Sequence, residues 1–223
     1  MRARLLDALA VTALVALCYL ATLWLAGTAQ AQVPPAANAY KRTLIRAAQA
    51  EWGLGAPVAV FAAQVHQESG WRPDAVSRVG ARGLAQFMPA TAAWWCDSMG
   101  LSAQQCQPHN PTWALRALVG YDRYLHDRTP ARYAPHDRMW VALRAYNGGL
   151  GHWQAEARMA AATAARAAGA SAGDGLREPT RAQVDAACGQ ARRAAVHCAE
   201  NLAYPRRILI QLQPRYATWG PGL

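Results

Sequence analysis

Apolar positions along this chain recur mostly at three-and-four spacing, which marks helix faces that pack on a core. Tyr40, Leu44, Ala47 and Ala48 form one such stripe and predict a helix over residues 40–52, ended by Gly53, where a left-handed cap is easy. Pro57 stands where a second helix can open, and Val58, Phe61, Ala62, Val65 and Ser69 mark its face as far as Gly70. Residues 71–82, rich in Pro, Asp, Ser and Gly, read as an irregular loop. A short apolar turn at 84–88 follows, and Pro89 opens the next helix.

Asn110-Pro111 is a start signal for a helix that runs to about residue 127 with Ala114, Leu118, Tyr121 and Leu125 along one side. A further helix is predicted over residues 137–146, closed by Asn147-Gly148-Gly149, and a last one over residues 197–211. Between them, residues 154–172 are nearly pure Ala and Arg and then turn Gly/Ser-rich. This stretch predicts a marginal helix trailing into a surface insertion at about residues 154–180. Phe and β-branched residues are scarce, and the expected fold class is all-α, a single helical domain.

The first residues do not fit that body. Arg2 and Arg4 precede an apolar run at residues 8–26, and Ala29-Gln30-Ala31 supplies the small-x-small pattern of an export cleavage site. Residues 1–31 therefore read as a signal peptide or, if uncut, a membrane anchor; residues 32–38, with Pro34 and Pro35, read as a linker. Either way the body, residues 39–223, is destined for the periplasm, for secretion, or for the outer face of the inner membrane.

Loss of the leader would leave Cys96, Cys106, Cys188 and Cys198, an even set in an oxidising compartment. Three connectivities are open, and the economical one joins Cys96 to Cys106 and Cys188 to Cys198. Residues ten apart on a continuous helix lie about 15 Å from each other, so each pairing needs a break, for which Gly100 and Gly189 are placed. The formal charge of +10 points to a polyanionic partner. Its arginines are scattered singly, without a basic run, so wall-peptide carboxylates or anionic lipid fit better than nucleic acid. The six histidines are too dispersed to argue a metal site, and no cofactor motif is present.

One charge falls in a costly place. With Val58 as origin and about 100° per residue, Phe61 falls at about 300°, Val65 at about 340° and Glu68 at about 280°, on the edge of the buried stripe. A carboxyl among apolar side chains keeps its proton to higher pH, as a general acid must. The same geometry also fits a Glu leaning into solvent or pairing with Arg72.

The neighbourhood adds to this. Glu68-Ser69-Gly70, Ala75-Val76-Ser77, the run from Gly80-Ala81-Arg82-Gly83 through Gln86-Phe87-Met88-Pro89, Ala145-Tyr146-Asn147-Gly148-Gly149 and Glu200-Asn201-Leu202-Ala203-Tyr204 occur in the order seen in soluble lytic transglycosylases. The chain resembles their catalytic domain over residues 39–212. That resemblance implies a lysozyme-like helical fold and cleavage of the N-acetylmuramic acid to N-acetylglucosamine β-1,4 bond of peptidoglycan glycan strands, leaving a 1,6-anhydro ring.

Glu68 would be the single catalytic acid. Ser77 would contact an N-acetyl group, and Gln86 and Met88 would line the sugar groove. Tyr146 and Asn147 fall on the family's Tyr-Asn pair, the tyrosine holding the catalytic carboxyl or an acetamido group, and Tyr204 matches its late tyrosine. Ala85 stands where a larger apolar residue is usual and Pro205 where Val is common, departures that bear on the outer groove. A muramidase-type hydrolase and a non-catalytic wall-binding assembly protein are the competing expectations. A conjugation, secretion or phage assembly apparatus is the kind of larger machine such a small enzyme would serve.

Overall fold

The computed structural model describes residues 32–169, 178–191 and 195–223. The leader reading at residues 1–31 lies outside that set, as does the Gly/Ser-rich end of the insertion, whereas residues 32–38, read as a linker, lie within it and include most of a 3-10 turn, Pro35–Ala39. Among the described residues there are eight α-helices and no strand: α1 (Lys41–Trp52), α2 (Val58–Ser69), α3 (Pro89–Ser98), α4 (Pro111–His126), α5 (Pro135–Gly148), α6 (Leu150–Ala167), α7 (Arg181–Ala187) and α8 (Ala195–Arg206). The all-α expectation holds.

Helix α2 is the axis of the body. Val58, Ala59, Val60, Phe61, Ala62, Ala63 and Val65 are all buried, so the helix is apolar on every side and needs neighbours all round. Helix α4 brings Ala114, Leu115, Leu118, Val119 and Leu125 into the core, and α5 brings Met139, Val141, Ala142 and Leu143. The last segment closes the packing: α8 runs on through a π-helical stretch, Arg207–Leu212, into 3-10 turns over Gln213–Trp219 that lie against α2. Pro205, inside α8, lacks an N–H to continue the ladder, and the π stretch begins just after it.

The contact between the chain's end and α2 is specific. Trp71 is buried with a positive φ of 68°, rare for a bulky residue, and its indole N–H donates to Tyr216 Oη at 2.7 Å. The same hydroxyl lies 2.8 Å from His66 Nδ1 on α2. Tyr40 stacks on Trp71 with rings only 4° from parallel.

The Ala/Arg stretch departs from the marginal helix its sequence predicts. Helix α6 is 18 residues long, starts at Leu150, and pairs with α7, which the hydrophobic pattern did not announce. Tyr133, Val141, Trp153, Ala160, Val184 and Ala187 make a small second core under this arm. Beside it sits a buried ionic cluster. Arg144, on α5 and without exposure, donates to Glu156 Oε2 of α6 at 2.6 Å and to Asp185 Oδ1 of α7 at 2.8 Å. Alanine-rich helices have little apolar bulk to dock with, and the ion pairs supply what side-chain size does not.

Disulfides join Cys96 to Cys106 and Cys188 to Cys198, the economical pairing. The breaks are at Gly100 and Gly189, both in left-handed conformations.

Removing one partner of a buried ion pair strands the other. Glu156→Ala should therefore cost on the order of 3 kcal/mol in urea unfolding, while the paired apolar replacement Arg144→Met with Glu156→Leu should cost less than that single change.

Candidate functional site

Glu68 sits in the last turn of α2, which Gly70 closes in the left-handed conformation at φ 61°. The side chain is half-buried, and it neither projects into solvent nor pairs with Arg72, whose Nε donates to the Ser69 carbonyl at 3.1 Å. Its partner is Tyr204 of α8, whose hydroxyl donates to Glu68 Oε1. Tyr146, the other candidate for that task, instead donates to the Ala85 carbonyl at 2.6 Å. It thus ties α5 to the loop ahead of α3 and leaves the carboxyl to the later tyrosine.

That loop is held from within. Arg82 makes isolated β-bridges with both Val76 and Phe87, and Ser77 Oγ accepts from the Ala81 N–H at 2.9 Å. Gln86 has a positive φ of 49°, a conformation its side chain secures by donating to the Gly83 and Ala75 carbonyls at 2.9 and 3.3 Å. Gly83 has no alternative, because a Cβ there would lie 1.9 Å from the Pro108 carbonyl oxygen. Ser77 and Gln86 are therefore occupied in shaping the loop, whereas Met88, 41% exposed at the start of α3, is free to meet a ligand. Asn147, in the last turn of α5, is exposed and accepts at Oδ1 from Asn201 Nδ2 at 2.9 Å.

Of the tryptophans near these motifs, Trp71, Trp95 and Trp153 are buried, and only Trp94 presents a surface, packed edge-on against Tyr121 and Tyr124. A cavity of about 890 Å³ between α1, α3 and α4 has none of the candidate residues in its wall.

The Glu68 carboxyl is raised to about 7, burial pushing it up and the Tyr204 hydrogen bond offsetting part of that rise. Tyr204 and Tyr146 are each pushed well above the usual tyrosine range, first by burial and then by the Glu68 charge, so both remain donors. The Glu68 charge acts on a second carboxyl that the sequence did not single out. Asp122 on α4 is fully buried and raised well above the usual carboxylate range by burial, against a hydrogen bond from Gln64, with the Glu68 charge raising it further.

Gln64 Nε2 donates to Asp122 Oδ1 at 3.3 Å, leaving Gln64 Oε1 and Asp122 Oδ2 without partners. A proton on Asp122 turns one of these two acceptors into a donor. Fully buried on α4, Asp122 has no face open to a ligand and so is not placed as the second carboxylate that two-acid glycosidases set across the bond. Asp74, the nearest acid in sequence, is exposed in the loop.

The Glu68 shift makes two predictions. A carboxyl whose folded value lies near 7 instead of 4.5 favours the fold while protonated, and that contribution is lost as pH rises from about 4.5 through 7. Glu68→Gln should thus melt a few degrees above wild type at pH 8, a gain on the order of 1–3 kcal/mol, and the gain should vanish below pH 4. Tyr204→Phe removes the interaction that lowers the Glu68 value, so the alkaline limb of the pH–rate profile should move to higher pH.

Comparison with known proteins places this geometry in a family. The Transglycosylase SLT domain family matches residues 44–168, a stretch holding Glu68, the loop and Asn147. Among curated proteins, a membrane-bound lytic murein transglycosylase F of Alcanivorax borkumensis is 39% identical over 104 residues, covering 47% of this chain and 21% of that protein. One of Maricaulis maris is 36% identical over 110 residues, covering 49% and 21%. The chain thus spans about a fifth of these relatives' length.

Among solved structures, the 70 kDa soluble lytic transglycosylase of Escherichia coli superposes with a TM-score of 0.52 at 20% identity, over 82% of this chain and 25% of that one. An inactive mutant of the lytic transglycosylase Slt of Pseudomonas aeruginosa gives 0.53 at 22%, again over 82% and 25%. These likenesses concern the fold, which is that of the lysozyme-like helical domains. With the matched segment exceeding half of its length and running through the acid-bearing helix, the chain belongs to the transglycosylase SLT domain family.

Proposed function

We propose that this chain is a peptidoglycan lytic transglycosylase working outside the cytoplasm, with Glu68 as its only acid and base. One observation carries the reading: a carboxyl raised to about 7 by burial is held by a tyrosine hydroxyl, while the neighbouring carboxyl is shut inside the core. At neutral pH such a group exists in both protonation states, as a residue that first gives and then takes a proton requires.

Protonated Glu68 donates to the glycosidic oxygen joining C1 of N-acetylmuramic acid to O4 of N-acetylglucosamine. The C1–O bond breaks, the N-acetylglucosamine side leaves with a free 4-hydroxyl, and the acetamido oxygen steadies the cationic C1. Glu68, now a carboxylate, takes the proton of the muramic acid C6 hydroxyl as that oxygen bonds to C1. A 1,6-anhydro ring forms, the acid is regenerated, and no water is consumed. Tyr204 supports both halves, donating to the carboxylate and remaining beside the acid.

Met88, Asn147, Ser77, Gln86 and Tyr146 belong to this reading as groove residues, the last three chiefly by holding the loop in shape. The leader at residues 1–31 would carry the body to the periplasm or keep it on the inner membrane, in line with relatives named membrane-bound. A net positive charge suits a wall rich in carboxylates. Local opening of the wall for a conjugation, secretion or phage assembly apparatus is the setting that fits its size.

Digestion of purified sacculi tests the proposal. The wild-type chain should release muropeptides ending in 1,6-anhydro-muramic acid that borohydride does not reduce, and Glu68→Gln should lower that rate by about a thousandfold. Reducible ends in their place would establish a hydrolase.

A further inference from the structure

The amide of Asn147 can point either edge outward, and the buried network behind it determines which. Asn201 on α8, only 3% exposed, makes three side-chain hydrogen bonds. Its Oδ1 accepts from Arg144 Nε at 3.1 Å, and its Nδ2 donates to the Arg144 backbone carbonyl at 2.8 Å and to Asn147 Oδ1 at 2.9 Å. Two of these partners have no choice of role, since a guanidinium only donates and a backbone carbonyl only accepts. Their positions fix which end of the Asn201 amide is oxygen and which is nitrogen.

With Nδ2 committed as the group facing Asn147, only the oxygen of Asn147 can meet it. The Asn147 Nδ2 is then the edge left for the exposed side. Arg144 cannot swing away to release Asn201, because Glu156 and Asp185 hold its other nitrogens, and Asp185 is itself bound by Arg181 of α7 at 2.5 Å.

We propose that Asn201 is a positioning residue that sets Asn147 to present a hydrogen-bond donor to substrate, and that the group it meets is a carbonyl or carboxylate oxygen of the glycan strand, carried by an acetamido or lactyl substituent. This rests on Asn147 lining the substrate groove. The α6–α7 arm thereby acts on the site without reaching it: its two carboxylates orient Arg144, Arg144 orients Asn201, and Asn201 chooses the exposed edge of Asn147. A hydroxyl of the sugar ring, able to donate or accept, would not read this choice; an oxygen that only accepts would.

Asn147→Asp tests the orientation because it is isosteric. Aspartate can still accept from Asn201, so the buried network survives and only the exposed edge changes from donor to acceptor. In the inactive Glu68→Gln background, binding to purified uncrosslinked glycan strands is measured at about 0.5 M salt to screen simple charge repulsion. Binding should weaken at least about tenfold while the melting temperature stays within a degree or so of the parent. If the oxygen of Asn147 instead faced outward, the exposed edge would be unaltered and the inner bond lost. The melting temperature would then fall with binding unchanged, and the proposal would be overturned.

A double-mutant cycle tests the route. Asn201→Ala should weaken binding when Asn147 is present and cost nothing further in Asn147→Ala, whereas fully additive losses would show that Asn201 does not act through Asn147. A failure of the transglycosylase reading would appear separately, as absence of anhydro products from the wild-type chain. The melting temperature of Asn147→Asp decides the orientation even then.

Discussion

A carboxyl at the end of a helix that is buried on every face is the constraint around which this molecule is built. Helix α2 can place Glu68 away from water only if other elements enclose its last turn, and those elements come from far along the chain: Asp122 from α4, Tyr146 from α5, Tyr204 from α8. The desolvation that raises the Glu68 value is a collective property of these neighbours, and no single contact produces it. Tyr204 moderates the effect by offering one hydroxyl. The two tyrosines keep their protons well above neutrality and Asp122 is sealed in the core, which leaves Glu68 as the group of this cluster that can exchange a proton with a ligand near neutral pH.

The rest of the architecture keeps that enclosure rigid where it must be and shaped where it faces a ligand. The loop ahead of α3 uses Gly83, the strained Gln86 and Ser77 to hold itself, so that Met88 projects at a defined place. The arm uses charge where its alanines lack bulk. Arg144 is at once the arm's anchor and the backstop for Asn201, which links the packing of α6 and α7 to the polarity of one exposed amide. Both devices spend polar side chains on geometry.

Much of this was legible in the sequence for stated reasons. The existence of α2 and its end at Gly70 follow from its apolar content and the glycine stop, while the single stripe read from the sequence understates a helix that is buried nearly all round. Parity points to two disulfides, and the short-loop pairing, one of three left open by the sequence, is the one with glycines at the necessary breaks. Tyr204 as the partner of Glu68 does not follow, since two tyrosines were available and nothing in the spacing distinguishes them; their separate tasks depend on where the Ala85 carbonyl lies.

Asp122 and Gln64 left no signal because a lone acid in an apolar stripe looks the same whether it is buried or turned outward. Helix α7 and the length of α6 were missed for a related reason. An alanine-rich surface has almost no hydrophobic contrast, and the arginine, glutamate and aspartate that hold it are spread over three helices. The leader at residues 1–31 remains a reading of the sequence.

The reach of two contacts has a consequence in time. Tyr204 meets Glu68 across 136 residues, and Tyr216 meets His66 across 150. A polypeptide that emerges amino end first therefore exposes its acid long before the groups that enclose it have been made, and until then Glu68 is an ordinary hydrated carboxylate with no proton to give at neutral pH. Closing so long a loop is among the later events of folding. The raised acid thus arrives with the last part of the chain, and a product cut short ahead of Tyr204 would carry the carboxyl without the environment that raises it.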